Sequence, residues 1–152
     1  MSIQSHGYVL DDLSTEIRQI LGAATVQHMV MLGAGNLGRV LLQNIPFSDA
    51  GFSMDAAFDV SPVVVGSTIN GVPVYSTEAI DSYFQEHQVD VVVLTLPQAV
   101  AQETVDHLMD LGIRFFWNFT NMEFSSSNSD VIFENIHFAD SLLTLSYHIT
   151  NR

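Results

Sequence analysis

Short apolar runs alternate with segments of helical periodicity along most of this chain of 152 residues. The apolar runs that we interpret as strands are residues 27–32, 53–60, 72–75, 89–96, 113–119 and 131–135. The segments that we expect to be helices between them are residues 36–44, 77–87 and 98–111. Strands that alternate with helices pair in parallel through right-handed crossovers. The pattern therefore predicts an α/β fold, with a doubly wound, mostly parallel sheet and helices on both of its faces.

Two amphipathic segments flank this core. Residues 9–21 carry apolar side chains at spacings of three and four, which is typical of a helix with one apolar face: Leu10, Leu13, Ile17 and Ile20. The C-terminal segment shows the same spacing in Phe138, Leu142, Leu145 and Ile149. We interpret residues 1–152 as a single domain, with a linker and helix at 1–22 and a closing helix at 138–150.

A glycine-rich turn, GAGNLG at residues 33–38, lies between the first predicted strand and the first predicted helix. In a dinucleotide-binding turn, Gly33 would permit the tight turn, Gly35 would let the backbone approach a pyrophosphate, and Gly38 would let the helix pack on the strand. The helix N-terminus offers free N–H groups and a positive dipole end to phosphates. Asp59 ends the second strand, where it would accept hydrogen bonds from the adenosine ribose hydroxyls. This combination favours a Rossmann-type dinucleotide site.

Asp59 also favours NAD over NADP, because a 2′-phosphate would meet its carboxylate and residues 58–66 contain no Lys or Arg. The alternative interpretation is that the glycines merely turn the chain and that Asp59 caps a strand end. The stretch LTLPQ ends a central strand, where Thr95 and Pro97 would line the nicotinamide-side ribose. Pro97 is equally well explained as the first residue of a helix. Asn118 ends another strand and would either reach the same crevice or cap a loop.

Charge and composition narrow the set of partners. The formal net charge is −13, from 17 acidic and 4 basic residues, all of the latter being arginines. Binding to a nucleic-acid backbone or an anionic membrane needs clustered Lys and Arg, so we expect no direct nucleic acid and no membrane. The chain has no cysteine, no histidines at metal-ligand spacing, no apolar run of membrane-spanning length and no leader-like N-terminus. We therefore expect a cytoplasmic protein without a metal site.

Six stretches, taken in order along the chain, resemble one protein family: GAGNLGRVLL, AAFDVSPVVVG, GVPVYSTEAI, VDVVVLTLPQAVAQETVDHLMDLGI, WNF and VIFENIHFADSLLTLSY. From about Gly7 to Tyr147 the chain resembles the C-terminal domain of the Rex family, which are bacterial redox-sensing transcriptional repressors. The resemblance implies a Rossmann domain that binds NADH and NAD⁺ within a homodimer, with the helix at 138–149 swapped onto the partner. It also implies that a high ratio of NADH to NAD⁺ rearranges the dimer and releases DNA.

The resemblance assigns cofactor-binding roles by position. The residues that would cradle the pyrophosphate are Gly33, Gly35, Asn36, Leu37 and Gly38, and Asp59 would bind the adenosine ribose. The residues that would border the nicotinamide half are Thr95, Leu96, Pro97, Asn118 and Phe119. Ala34 and Val60, which are neighbours of these residues, complete the cofactor-binding set.

The chain departs from the family at several places. The winged-helix DNA-binding domain has no counterpart, and QSHGY stands in place of the family's basic linker. Ile45 stands where many members have a tyrosine, and His137 where they have an aspartate. In the family these two positions help to couple the nicotinamide state to the domain arrangement. The family's NFAP is NFTN in this chain.

We therefore predict a non-catalytic, NAD(H)-binding, redox-sensing domain that does not bind DNA alone. It would act through a homodimer, or through a full-length Rex-type repressor or another protein. Two other functions remain open. An NAD-dependent oxidoreductase would need an acid–base group beside the nicotinamide, for which His137 is the one candidate. A CoA-binding or other nucleotide-binding module is disfavoured by Asp59, because CoA carries a phosphate on its adenosine ribose.

Overall fold

The computed structural model of the chain describes residues 26–124, 130–136 and 145–150. The helix predicted at 9–21 lies outside these residues, as do His137 and the first part of the predicted C-terminal helix. Residues 145–150 are helical, in agreement with the prediction for that part of the chain.

A seven-stranded sheet forms the centre of the described structure, with the strand order β3-β4-β2-β1-β5-β6-β7. Its strands are β1 (Gln27–Leu32), β2 (Phe52–Asp59), β3 (Thr68–Ile69), β4 (Val72–Ser76), β5 (Val91–Leu94), β6 (Phe115–Asn118) and β7 (Ile132–Asn135). All neighbouring strands pair in parallel except β3, which pairs antiparallel with β4. The doubly wound, mostly parallel sheet predicted from the sequence is confirmed.

The helices follow the strands of the sheet. They are α1 (Asn36–Asn44), α2 (Ile80–Glu86) and α3 (Gln98–Asp110). The helix predicted at 77–87 divides in two, because the Ser76 hydroxyl accepts a hydrogen bond from the Glu78 N–H and starts a 3-10 turn, Thr77–Ala79, before α2. A second 3-10 turn, Phe47–Ala50, follows Pro46 and was not predicted.

The two faces of the sheet bury separate apolar cores, because side chains alternate between the faces along each strand. On the first face, Met29, Met31 and Val93 pack with Leu41 and Phe47, so α1 and its following turn cover this side. On the second face, β1 and β5 pack against α2 and α3 through Val30, Leu32, Val92, Leu94, Ile80, Ala101, Val105 and Leu108. Helices therefore lie on both faces, as predicted.

The β3–β4 hairpin is an element that sequence analysis missed. Its two-residue loop is Asn70–Gly71, and both residues have positive φ, at 49° and 81°. Such values define the type I′ turn that joins antiparallel strands most readily, and Asn-Gly is its preferred sequence. Among the described residues, no helix is both long and apolar enough to cross a membrane.

Candidate nucleotide-binding site

A cleft of about 470 Å³ opens at the carboxyl end of the central strands. The residues that line it are Gly33, Gly35, Asp59, Val60, Thr77, Thr95, Leu96, Pro97 and Val100. They come from the ends of β1, β2, β4 and β5 and from the first turn of α3. In parallel α/β sheets this edge is where ligands bind. Seven of the candidate residues predicted from the sequence thus line one cavity.

The glycine turn after β1 is packed so closely that two of its positions have no room for a side chain. Gly33 has a φ of 100°, and a Cβ there would lie 2.5 Å from Thr95 Oγ1. A Cβ on Gly38 would overlap the carbonyl oxygen of Gly33. A Cβ on Gly35, in contrast, would meet no atom within 4 Å. The close packing of the turn therefore requires glycine at positions 33 and 38, whereas the space above Gly35 is open to the cleft.

The N-terminus of α1 lies directly after this turn. The first intrahelical bond runs from the Arg39 N–H to the Gly35 carbonyl. The N–H groups of Asn36, Leu37 and Gly38 have no hydrogen-bond partner among the described residues, and Gly35 has no side chain that could cap them. A helix N-terminus with free N–H groups attracts anions through hydrogen bonding and through its dipole. The turn thus presents hydrogen-bond donors of the kind that hold phosphate.

Asp59, at the end of β2, is fixed by three backbone donors. One carboxylate oxygen accepts from the Ala34 N–H at 2.6 Å. The other accepts from the N–H groups of Val60 and Ser61, at 2.6 and 2.9 Å. The two carboxylate oxygens have about four acceptor positions between them, and three are used, so about one position, on the oxygen that accepts from Ala34, remains for a ligand hydroxyl. Asp59 is the one acidic residue among those lining the described cleft.

Thr95 connects the end of β5 to the glycine turn. Its Oγ1 lies 2.9 Å from the Gly33 carbonyl oxygen and 3.1 Å from that of Leu32, and it shares its single proton between them. Its backbone N–H also donates to the Leu32 carbonyl, at 2.9 Å. These bonds hold the turn's carbonyl groups toward Thr95.

Asn118 and Phe119 lie outside the lining of this cleft, although both are at the carboxyl edge of β6. The Asn118 amide donates to the Met122 carbonyl and to Asn135 Oδ1, and its oxygen accepts from the Thr120 N–H and hydroxyl. Both N–H donors and both acceptor positions of the Asn118 side-chain amide are therefore used within the protein. Phe119 is buried, with its ring 4.8 Å from that of Trp117. Their role at the nicotinamide stays a prediction.

Thr77 and Val100 line the cleft but were not singled out from the sequence. Thr77 follows the parallel strand β4, so its position directly after a predicted strand was an available signal. Val100 lies in the first turn of α3 and is exposed despite being apolar. Within the described part of the chain, His, Asp and Glu side chains form no group of three or more that could hold a metal ion.

Comparison with known proteins identifies the family of this chain. The family described as a CoA-binding domain matches residues 25–122. The redox-sensing transcriptional repressor Rex of Caldanaerobacter subterraneus subsp. tengcongensis is 34% identical over 146 residues. That alignment covers 96% of this chain and 65% of the relative, so the chain spans about two thirds of the relative's length. The relative is named as a repressor rather than as an enzyme.

Two solved structures of RSP, a Rex-family repressor, have the same fold. The complex with β-NADH superposes with a TM-score of 0.81 at 33% identity, covering 93% of this chain and 68% of that one. The complex with β-NAD⁺ and operator DNA gives a TM-score of 0.79 at 33% identity, covering 93% and 64%. Because that relative is solved with DNA, the comparisons do not support the expectation that this chain has no nucleic-acid partner.

Proposed function

This chain belongs to the CoA-binding domain family and, more narrowly, to the Rex family of redox-sensing transcriptional repressors, and we propose that it binds NADH and NAD⁺ in the cleft beside Asp59. The pyrophosphate would lie on the glycine turn and the N-terminus of α1. The adenosine ribose would bind Asp59, with Ala34 and Val60 beside it. Leu96 and Pro97 would border the nicotinamide half, together with Asn118 and Phe119.

The observation that carries this proposal is the joint arrangement of donors and acceptor around one cavity. Free N–H groups at the start of α1 suit a diphosphate, and they lie across the glycine turn from a carboxylate that suits a ribose diol. The relatives solved with NADH and with NAD⁺ have the same fold as this chain. The cleft lining contains no His, Lys or Arg, and its one acidic residue, Asp59, is the residue that we place at the adenosine ribose.

The direct test is a titration of the purified chain with NADH, NAD⁺, NADPH and CoA by calorimetry and thermal shift. We expect NADH and NAD⁺ to raise the melting temperature, with the larger rise for the tighter ligand at equal concentration, and NADPH to have a much smaller effect. The family description favours CoA as a second candidate ligand. Stabilisation by CoA alone would make the protein a CoA-binding module and would overturn the NAD(H) proposal.

We infer that the protein acts as a homodimeric redox sensor that responds to the ratio of NADH to NAD⁺ in the cytoplasm. Residues 145–150 support the dimer, because Leu145 and Ile149 are 56% and 55% exposed and lie one helical turn apart. Exposed apolar side chains on one helical face are typical of a surface that a partner covers. Light scattering should give a dimer, and Leu145→Asp with Ile149→Asp should give a monomer. Thr150→Asp serves as the control for added charge.

We also infer that these 152 residues do not bind an operator by themselves, because their net charge is −13. Fluorescence anisotropy with operator duplexes should detect no saturable binding at physiological salt. Saturable binding by this chain would contradict the inference from charge. The same assay with a full-length Rex repressor present tests whether this chain acts through a mixed dimer.

A further inference from the structure

Three of the described side chains that line the nucleotide cleft carry a polar group: Asp59, Thr77 and Thr95. The Asp59 carboxylate accepts from three backbone N–H groups. The Thr95 hydroxyl shares its proton between the carbonyl groups of Leu32 and Gly33. The Thr77 hydroxyl, in contrast, has no hydrogen-bond partner among the described residues. Thr77 therefore offers the cleft a hydroxyl whose donor and acceptor positions are both unused.

The local structure explains why the Thr77 hydroxyl is unused. The 3-10 turn that begins at Thr77 is capped by the residue before it, because the Ser76 hydroxyl accepts from the Glu78 N–H. Thr77 itself takes part through its backbone carbonyl, which accepts from the Ile80 N–H. The side chain of Thr77 is half-buried. A ligand that displaces water from this hydroxyl must supply a hydrogen bond in return.

The strand order places Thr77 at one end of the cleft. The strands that contribute to its lining lie in the order β4, β2, β1, β5 across the sheet. Asp59 on β2 pairs in register with Ser76 on β4. Thr77 lies one residue beyond that pair, beside Val60 and about 4.8 Å across the sheet from it. Thr77 is therefore on the far side of Asp59 from the glycine turn.

A dinucleotide in the proposed orientation has its parts in the same order as these strand ends. The nicotinamide half lies at the end of β5, the pyrophosphate at the end of β1, and the adenosine ribose at Asp59 after β2. The next group of the ligand is the base, and the next strand end is that of β4, where Thr77 lies. Val60, which is 79% exposed, adds an apolar side chain beside Thr77 that suits a flat aromatic ring.

We propose that Thr77 is a specificity-determining residue for the base, and that its hydroxyl accepts a hydrogen bond from the 6-amino group of adenine. This inference rests on the proposed NAD(H) function of the cleft. The amino group of adenine is a donor, and the hydroxyl has an acceptor position available for it. Unsubstituted purine has no donor at that position and leaves the hydroxyl without a partner, so the contact favours adenine.

The test compares two ligands by calorimetry: NADH, and its analogue in which unsubstituted purine replaces adenine. Thr77→Val keeps the shape of the side chain and removes the hydroxyl. Its affinity for NADH should fall about fivefold, as for the loss of one neutral hydrogen bond, whereas its affinity for the purine analogue should be at least that of the unmodified chain. Thr77→Ser should restore the preference for NADH. Thr68→Val removes a hydroxyl from an exposed site on β3, outside the cleft lining, and should change neither affinity.

A melting curve of the ligand-free Thr77→Val protein separates binding from folding. Since the hydroxyl has no partner among the described residues, the melting temperature should not fall. Equal losses of affinity for NADH and for the purine analogue would overturn the inference, because the hydroxyl would then act on a part of the ligand that both share. An unchanged affinity of Thr77→Val for NADH would also overturn it and would leave the proposed function intact. Absence of NADH binding by the unmodified chain would overturn the proposed function itself, and this inference with it.

Discussion

The carboxylate of Asp59 accepts a hydrogen bond of 2.6 Å from the backbone N–H of Ala34, and this bond joins the end of β2 to the glycine turn after β1. The two residues are 25 positions apart in the sequence. Asp59 therefore has a structural role in holding the turn, in addition to the ribose-binding role proposed for it.

Asp59→Asn should weaken both the fold and the binding of NADH. An amide presents an N–H to one of the backbone donors that the carboxylate now satisfies, which costs about 1–3 kcal/mol of the free energy of unfolding. Urea denaturation measures that loss, and calorimetry measures the affinity for NADH. Asp110→Asn removes the same charge from an exposed site at the end of α3 and should change neither quantity. Equal stability of the two variants would show that the Ala34 contact contributes nothing.

Gly35→Ala should separate binding from folding. The new methyl group meets no protein atom within 4 Å, and Gly35 has a φ of −75° that alanine readily adopts. The melting temperature of the free protein should therefore stay the same. If the pyrophosphate lies on this position, the methyl group displaces it, and the affinity for NADH should fall by about tenfold or more, which corresponds to about 1.4 kcal/mol. Unchanged affinity would place the diphosphate elsewhere.

Gly38→Ala should lower the free energy of unfolding. Its methyl group would overlap the Gly33 carbonyl oxygen, which is backbone and has little freedom to move. We expect a loss of about 1–3 kcal/mol in the free energy of unfolding, as for other overpacked sites. Thermal and urea denaturation measure it, with Gly35→Ala as the matched control. A Gly38→Ala protein as stable as the control would mean that α1 can move away from β1 at little cost.

Thr95 should support binding by holding the glycine turn. Thr95→Val keeps the shape of the side chain but removes the proton shared by the Leu32 and Gly33 carbonyls. The freed carbonyls can then turn toward the phosphates, so the affinity for NADH should fall several-fold while stability falls by about 1 kcal/mol. Thr95→Ser keeps the hydroxyl and should restore the affinity. A Ser variant as weak as the Val variant would show that the hydroxyl alone does not support the affinity.

Stability should decline in alkaline solution through Tyr83. Burial, followed by the negative charge of Asp55 and by Tyr75, raises the pKa of the Tyr83 phenol in the folded protein. The unfolded phenol ionises at about 10, so above that pH the unfolded chain holds fewer protons than the folded one and stability falls as pH rises. Denaturation between about pH 9 and 11 measures the slope. Tyr83→Phe should flatten it, and an unchanged slope in that variant would exclude Tyr83 as the cause.

Several features of the candidate site were predictable because they depend on local patterns. The turn at Gly33 and the acid at Asp59 each follow a strand that alternates with helices, and the carboxyl ends of parallel strands meet at one edge. The hairpin at Asn70–Gly71 was missed although its dipeptide is a strong local signal. Val100 was missed because its place in the cleft depends on which strands are neighbours, whereas Thr77 was missed although it follows a predicted strand.

The sequence by itself determined six of the seven strands, the helices between them and the glycine turn, since periodicity and backbone preferences act between residues close in the chain. Only the tertiary structure decided the strand order and the internal use of the Asn118 amide. These depend on contacts between residues far apart in sequence, such as Asn118 with Asn135 and Met29 with Val91. Hydrophobic periodicity indicates that a face will be buried, but the element that buries it is selected by packing across the whole fold.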